Sequence, residues 1–273
     1  MRRVAVVGHV EWVDFVCVSE FPQRGAVSHA DGALTHAGGG AVVAAAVLAD
    51  LGAEVDLFCA LGRDANGEAA ATELAARGIS VQAAWRDAPT RRVVTLLERD
   101  GERTILTIGE RIQPHGDDDL AWDRLEGADG VYFTAGDAGA AARARRAGVM
   151  VTTPRAREAL AGDGITVDAL VYSARDSDEV RWAEALAPHA RLLVVTEGAQ
   201  GGHWRSTDRA GSEADSGRWP AAALPGPQRD DYGCGDAFAA GFTFGLASEL
   251  SVPAAARIGA ERGARALTTV GAP

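Results

Sequence analysis

The residues best suited to chemistry lie in Asp230–Phe242, DDYGCGDAFAAGF, where Gly233 and Gly235 bracket Cys234 and Asp236 follows directly. Glycine reaches backbone angles that a Cβ forbids, so Gly233, Cys234 and Gly235 can turn several N–H groups onto one point. The run of Ala237, Phe238, Ala239, Ala240, Phe242, Phe244 and Leu246 predicts a helix starting there. Its first amides have no carbonyl to bond and its dipole is positive at that end, which makes an anion site. A carboxylate is a poor permanent neighbour for a bound anion unless it takes a proton beside one. A base next to an anion hole is what phosphoryl transfer to a hydroxyl requires. The same residues also read as an ordinary glycine turn whose aspartate caps a helix.

Other elements must position that pair. In residues 38–79, Gly38-Gly39-Gly40 opens an Ala-rich helix closing at Gly52, and Val55–Leu61 reads as a strand. Gly62-Arg63-Asp64 then leads into a second helix ending near Gly78, with Asp64 as its expected cap. Val4–Val7 is a continuous apolar run of the kind buried on both faces of a parallel sheet. From Val131 to Thr196 strands and helices alternate, which predicts a doubly wound, mostly parallel α/β sheet covered on both faces. Arg92–Glu98 and Arg103–Ile108 are β-rich runs separated by a segment containing Asp100-Gly101, a strong hairpin signal. Residues 16–35 are short, mixed and turn-rich, and could belong to the same β appendage. Residues 206–217 read as a polar loop, and Pro253–Leu267 as a last Ala-rich helix.

Composition narrows the function. The 273 residues fit one large domain, 1–273, and a formal charge of −11 argues against a nucleic-acid surface and gives no support to an anionic membrane. Every basic residue other than histidine is arginine, so a P-loop, which needs its lysine, is excluded. A dinucleotide site fails as well, because Gly8-His9-Val10-Glu11-Trp12-Val13 lacks the G-x-G-x-x-G turn. Cys17, Cys59 and Cys234 have neither paired nor metal-ligand spacing, which favours a reduced compartment. In the glycine loop the Cys234 thiol could have a lowered pKa, or simply fill the place of a small residue. The amino terminus reads as a first strand rather than a signal peptide, no apolar run reaches membrane-spanning length, and a cytoplasmic location is expected.

The carboxy-terminal segment resembles the signature of the ribokinase-like carbohydrate kinases, the phosphofructokinase-B group, commonly Asp-Thr-Thr-Gly-Ala-Gly-Asp before a small-residue helix. Asp230, Gly233, Gly235 and Asp236 match it, while Asp231, Tyr232 and Cys234 depart from it. The 38–79 stretch is similar to the amino-terminal signature of the same family, with Gly62, Asp64 and Gly67 as its second half. The resemblance implies Asp236 as catalytic base, with the Gly233, Cys234 and Gly235 amides cradling the transferring phosphoryl group. It implies sugar contacts at Gly38 and Gly39 and at an acid after the first strand, Asp14 first and Glu11 second. Val43 takes the position of a sugar-binding asparagine, and Asp137, just past a strand end, is a further substrate candidate. Ser173 and Asp176 keep the spacing of the Asn-x-x-Glu that organises magnesium and phosphate, with Arg175 between them; helix capping is the other reading. Thr196, Gly198 and Gly201 match the turn that approaches the nucleotide. ATP and Mg2+ are the implied cofactors, with a K+ site for which Asp230 is the one matching ligand. Segments at about 11–36 and 85–112 would form a small β lid that closes over the substrate and can serve as a homodimer face. The expected activity is transfer of the γ-phosphate of MgATP to a primary hydroxyl of a small carbohydrate. A nucleoside acceptor, or a catalytically idle nucleotide- or metabolite-binding protein, stays open.

Overall fold

The computed structural model describes residues 1–99, 101–161, 164–207 and 216–271. In chain order the elements begin with β1 (Arg3–Val7), β2 (Glu11–Val18), β3 (Gly32–Gly38), α1 (Gly40–Asp50), β4 (Glu54–Gly62), α2 (Ala65–Ala76) and β5 (Ser80–Arg86). They continue with β6 (Arg92–Glu98), β7 (Arg103–Ile108), β8 (Gly130–Phe133), α3 (Ala138–Ala144), β9 (Val149–Thr152), α4 (Arg157–Leu160) and β10 (Val167–Ser173). Last come α5 (Ser177–Leu186), β11 (Ala190–Thr196), β12 (Gly202–Ser206), β13 (Ser216–Trp219), α6 (Cys234–Ala247) and α7 (Val252–Ala266).

Nine strands form one sheet in the order β13-β12-β11-β10-β9-β8-β1-β4-β5. The run from β5 through β11 is parallel, and β12 and β13 add antiparallel pairs at one edge. Val4 and Val6 point into the core under α1, α6 and α7, whereas Ala5 and Val7 point into the core under α3 and α4. That alternation is why an unbroken apolar run suits β1, which has protein on both faces. The small residues of α6 serve close helix packing. A Cβ on Gly241 would lie 3.0 Å from the Gly259 Cα, and one on Gly245 would lie 2.6 Å from the Ala255 Cα.

The second sheet, β3-β2-β6-β7, stands over the carboxyl ends of the first as a lid. β6 and β7 form the expected hairpin, pairing from Arg92↔Ile108 to Leu97↔Arg103. Gly101 has the positive φ of 90° that its turn requires, and Asp100 lies outside the described residues. Trp85 and Arg86, expected in the lid, belong instead to β5 of the large sheet. The ends of the polar loop expected over 206–217 are strand, Ser206 closing β12 and Ser216 opening β13, and residues 208–215 lie outside the described residues. Asp64 caps α2 as its position suggests, accepting from the Gly67 N–H at 2.8 Å. No helix among the described residues is long and apolar enough to cross a membrane.

Candidate active site

A cleft of about 810 Å³ opens between the lid and the carboxyl edge of the large sheet. Its floor is the start of α6. Gly233 sits in the left-handed region at φ 68°, ψ 4°, a conformation that costs a residue with a Cβ. The first helical bond is Ala237 N–H to the Gly233 carbonyl at 2.8 Å, so the Gly235 and Asp236 amides have no intrahelical acceptor. The Cys234 N–H makes only a long 3.5 Å contact with the Asp231 carbonyl, and Gly235 N–H faces the weakly accepting Cys234 sulfur. Burial pushes the Cys234 thiol up to about 11, so it stays protonated at neutral pH and its pKa is not lowered by the loop.

Asp236 is partly buried and lines this floor. Tyr132 Oη donates to its Oδ1 at 2.8 Å. The carboxylate rests against Gly40, where a Cβ would come within 2.7 Å of Oδ1 and 2.9 Å of Oδ2. Burial raises its pKa above that of an ordinary aspartate, while the Tyr132 hydrogen bond and the Arg155 charge act in the opposite direction. A carboxylate so placed beside free amides can accept a proton while an anion is held next to it.

The lid end is set by β2 and β7. Asp14 does not line the cleft. It accepts from Thr35 Oγ1 at 2.7 Å and from Arg92 at 3.0 Å on the lid sheet. Strand parity is the reason. Successive side chains of a strand alternate faces, so Asp14 and Glu11, three residues apart, point oppositely. Glu11 is the acid in the cleft wall, 3.3 Å from Arg91 and 3.8 Å from His9 Nε2. Burial raises the Glu11 pKa against the pull of Arg91 and Arg111. Burial first, then Arg111 and Arg91, depress His9 to about 3, so this ring is neutral at any working pH. Its buried Nδ1 has no hydrogen-bond partner among the described residues. Val43 and Gly39 also line the wall. Gly39 adopts φ 94° and gives its N–H to Tyr232 Oη at 2.7 Å, tying the α1 entrance to the loop before α6. Gly38 is packed against Val13 and Tyr232, where its Cβ would approach to 2.5 and 2.7 Å, and lies behind the wall. Arg103 of β7 bonds Asp231 at 2.8 Å and covers the Tyr232 ring at 5.7 Å.

The other end lies at β10, β11 and α5. Ser173, Arg175, Asp176 and Thr196 all face the cleft. Asp176 caps α5, accepting from the Asp178 and Glu179 N–H groups at 3.0 and 3.1 Å, and its second oxygen meets Arg155 at 2.6 Å. Glu179 bridges Arg155 Nε at 2.6 Å and the Ser173 N–H at 2.9 Å. Gly198 and Gly201 do not line the cleft. Both have positive φ, of 62° and 82°. A Cβ on Gly198 would lie 2.8 Å from the Arg175 guanidinium carbon, and one on Gly201 would lie 2.0 Å from the Trp219 carbonyl oxygen. They shape the turn on which Arg175 rests.

Two further candidates are elsewhere. Asp137 caps α3 by accepting from the Ala140 N–H at 2.7 Å and the Gly116 N–H at 2.9 Å, beside a separate shallow hollow. Asp230 is 1% exposed and spends one oxygen on the Tyr232 N–H and the other on the Gly271 N–H, each at 2.8 Å. It latches the loop before α6 to the chain after α7. Among the described residues, His115, Asp117 and Asp118 are the only cluster with metal-ligand spacing. It lies outside this cleft, and Asp118 is already held bidentately by Arg86 at 2.6 and 2.7 Å. The reading of motifs missed Tyr132, Arg155, Arg103 and Arg111, and gave no role to Glu179. A hydroxyl inside the apolar strand Gly130–Phe133 was the one legible signal among them.

Solved structures share this fold. A ribokinase from Arabidopsis thaliana in complex with ribose and ATP superposes with a TM-score of 0.76 at 20% identity, covering 100% of this chain and 95% of that one. An adenosine kinase from Sinorhizobium meliloti gives 0.77 at 20% identity, covering 100% and 96%. A microbiome-derived acarbose kinase gives 0.79 at 25% identity, covering 99% and 94%. No curated protein matches the chain. The family description "pfkB family carbohydrate kinase" matches residues 1–148 and 166–273. With a ribokinase-like fold and a sequence match over nearly its whole length, the chain belongs to the pfkB family of carbohydrate kinases.

Proposed function

We propose that the protein is an ATP-dependent kinase that phosphorylates a primary hydroxyl of a small carbohydrate, with Asp236 as general base. The observation that carries this reading is the Asp236 carboxylate beside the weakly engaged amides at the start of α6. The acceptor would lie between Glu11, His9 and Val43 under the lid, its hydroxyl aimed at Asp236. The Glu11 carboxylate and the neutral His9 ring line the wall there and would meet the acceptor. Asp14, Gly38 and Asp137 are left out of that set by their positions. The nucleotide would extend toward Ser173, Arg175 and Thr196, with the γ-phosphoryl oxygens at the Gly233, Cys234 and Gly235 amides. Asp236 takes the hydroxyl proton as that oxygen bonds to phosphorus and the bond to the departing ADP oxygen breaks. The lid would exclude water, the competing acceptor.

Asp176 and Glu179 offer the hard oxygen donors that Mg2+ accepts, and such an ion usually keeps several waters. When bound it would neutralise phosphate charge. Arg155 bonds both carboxylates and would have to yield in part. The Asp230 oxygens are both taken by backbone N–H groups, which gives a K+ ion little to bind there. The Arg155 bonds favour one second reading, a nucleotide-binding protein without turnover. A nucleoside acceptor is compatible with the same cleft.

A coupled ATP-consumption assay over sugars and nucleosides, with and without Mg2+ and K+, tests the proposal. Mg2+-dependent transfer to a sugar hydroxyl supports it, and transfer to nucleosides alone moves the reading to a nucleoside kinase. Stabilisation by ATP with no transfer to any acceptor would contradict it. Leu106 and Ile108 stand exposed on the lid face opposite the cleft and support a homodimer formed through it. Three unpaired cysteines agree with a cytoplasmic setting.

A further inference from the structure

Tyr132 is fully buried at the third position of β8, in a strand whose other side chains are Val131 and Phe133. A phenol in such a place needs a partner for its hydroxyl. It has one: Oη donates to Asp236 Oδ1 at 2.8 Å. A phenol has one proton to give, and here it goes to the carboxylate, an ionised acceptor. The bond engages one oxygen only. Oδ2 has no hydrogen-bond partner among the described residues, and Gly40, lacking a side chain, leaves room for the carboxylate to sit against α1.

We propose that Tyr132 is a positioning residue for the base: by holding Oδ1 it fixes the carboxylate rotamer and leaves Oδ2 free to take the acceptor's proton. The inference rests on the kinase reading above. A carboxylate turns about its terminal torsion with little restraint of its own, so an oriented base needs such a tether. Reacting atoms must meet within a few tenths of an ångström for full rate, and a loose base loses that. The hydrogen bond also favours the ionised carboxylate, opposing the effect of burial. Other charged and titratable groups face Asp236 from every side: Arg155 before α4, Glu179 on α5, Arg103 on β7, and Tyr232 and Cys234 at the α6 turn. α1 brings only Gly40. Arg155 and Arg103 favour the ionised form and Glu179 disfavours it, so Tyr132 supplies the direct bond within a balanced field.

The test is Tyr132→Phe, which removes one oxygen and leaves the ring's packing. With the acceptor that the wild type phosphorylates, kcat should fall about tenfold or more while the KM for ATP changes less than about twofold. The acid limb of the pH profile should move up by about one pH unit, because a donor that favours the ionised base is gone. The carboxyl carbon of Asp236, followed by 13C NMR and assigned with Asp236→Asn, should titrate higher by a similar amount. An active wild type with an unmoved profile and an unmoved carboxyl titration in Tyr132→Phe would sink the inference alone. A fall in kcat without either shift would make Tyr132 merely structural and would also overturn it. A wild type that phosphorylates no acceptor would remove the kinase reading and this inference with it.

Discussion

At the scale of single residues, Asp236 is where burial and function pull apart. Burial raises its pKa, and a base must be ionised, so activity should be lost as pH falls through a value above that of a free aspartate. The acid limb of kcat/KM should therefore lie above the ordinary aspartate range, and a limb at or below that range would contradict the assignment. The stability consequence has the opposite sign to the usual carboxylate case. A folded-state pKa above the unfolded one means the ionised group costs stability at pH above the unfolded value, and the cost disappears below it. Asp236→Asn should then melt at or above the wild-type Tm near pH 7.5, with the difference closing in acid. A Tm several degrees lower would show that the carboxylate is held for stability. Glu11 and Asp14 separate just as cleanly. Glu11→Gln should lower kcat/KM for the acceptor about tenfold or more, whereas Asp14→Asn should change it little, since Asp14 is occupied by Thr35 and Arg92. The opposite ranking in steady-state kinetics would reverse the placement.

At the scale of elements, the site depends on two helix entrances meeting. α1 begins at Gly40 and α6 at Cys234, and the absence of a side chain on Gly40 lets the base of one helix lie against the backbone of the other. Gly40→Ala should gain helix propensity of up to about 1 kcal/mol, yet its Cβ would meet the Asp236 carboxylate. The expected outcome is a near-normal Tm with turnover at least about tenfold down, read by calorimetry and steady-state assay. Unchanged turnover would mean that the carboxylate can move aside without consequence. These entrances were legible in the sequence because glycine clusters ahead of small-residue runs mark sharp turns into helices. β5, β12 and β13, at the two ends of the large sheet, were not read as strands, since strands there bury less and carry a weaker pattern. Asp14 was preferred over Glu11 because both follow the first strand, and only the register of β2 says which one faces inward. Arg155, in the turn between β9 and α4, and Tyr132, on β8, come to surround Asp236 through folding alone, with no motif around either to announce them.

At the scale of the whole molecule, the cleft lies between the carboxyl edge of the large sheet and the second, four-stranded sheet. The lid's outer face carries Leu106 and Ile108 in the open, a patch that water does not favour. Leu106 is 62% exposed, so a charge there should disturb no core packing. Wild-type protein should sediment as a dimer and Leu106→Arg as a monomer of unchanged Tm; a monomeric wild type would remove the lid as an interface. The general fold could be read from alternation and glycine spacing, whereas the cleft's charge arrangement could not, because Arg103, Arg111, Arg155 and Glu179 converge from four separate segments. The central claim is that Asp236 takes the acceptor's proton, and single-turnover phosphate transfer from MgATP in Asp236→Asn tests it most directly. With the best acceptor and ATP binding measured in parallel, the rate should fall by about 10²–10⁴, or about 3–5 kcal/mol of barrier, while ATP affinity holds. A variant that keeps more than about half of the wild-type rate would contradict the account, since general-base assistance is worth far more than twofold.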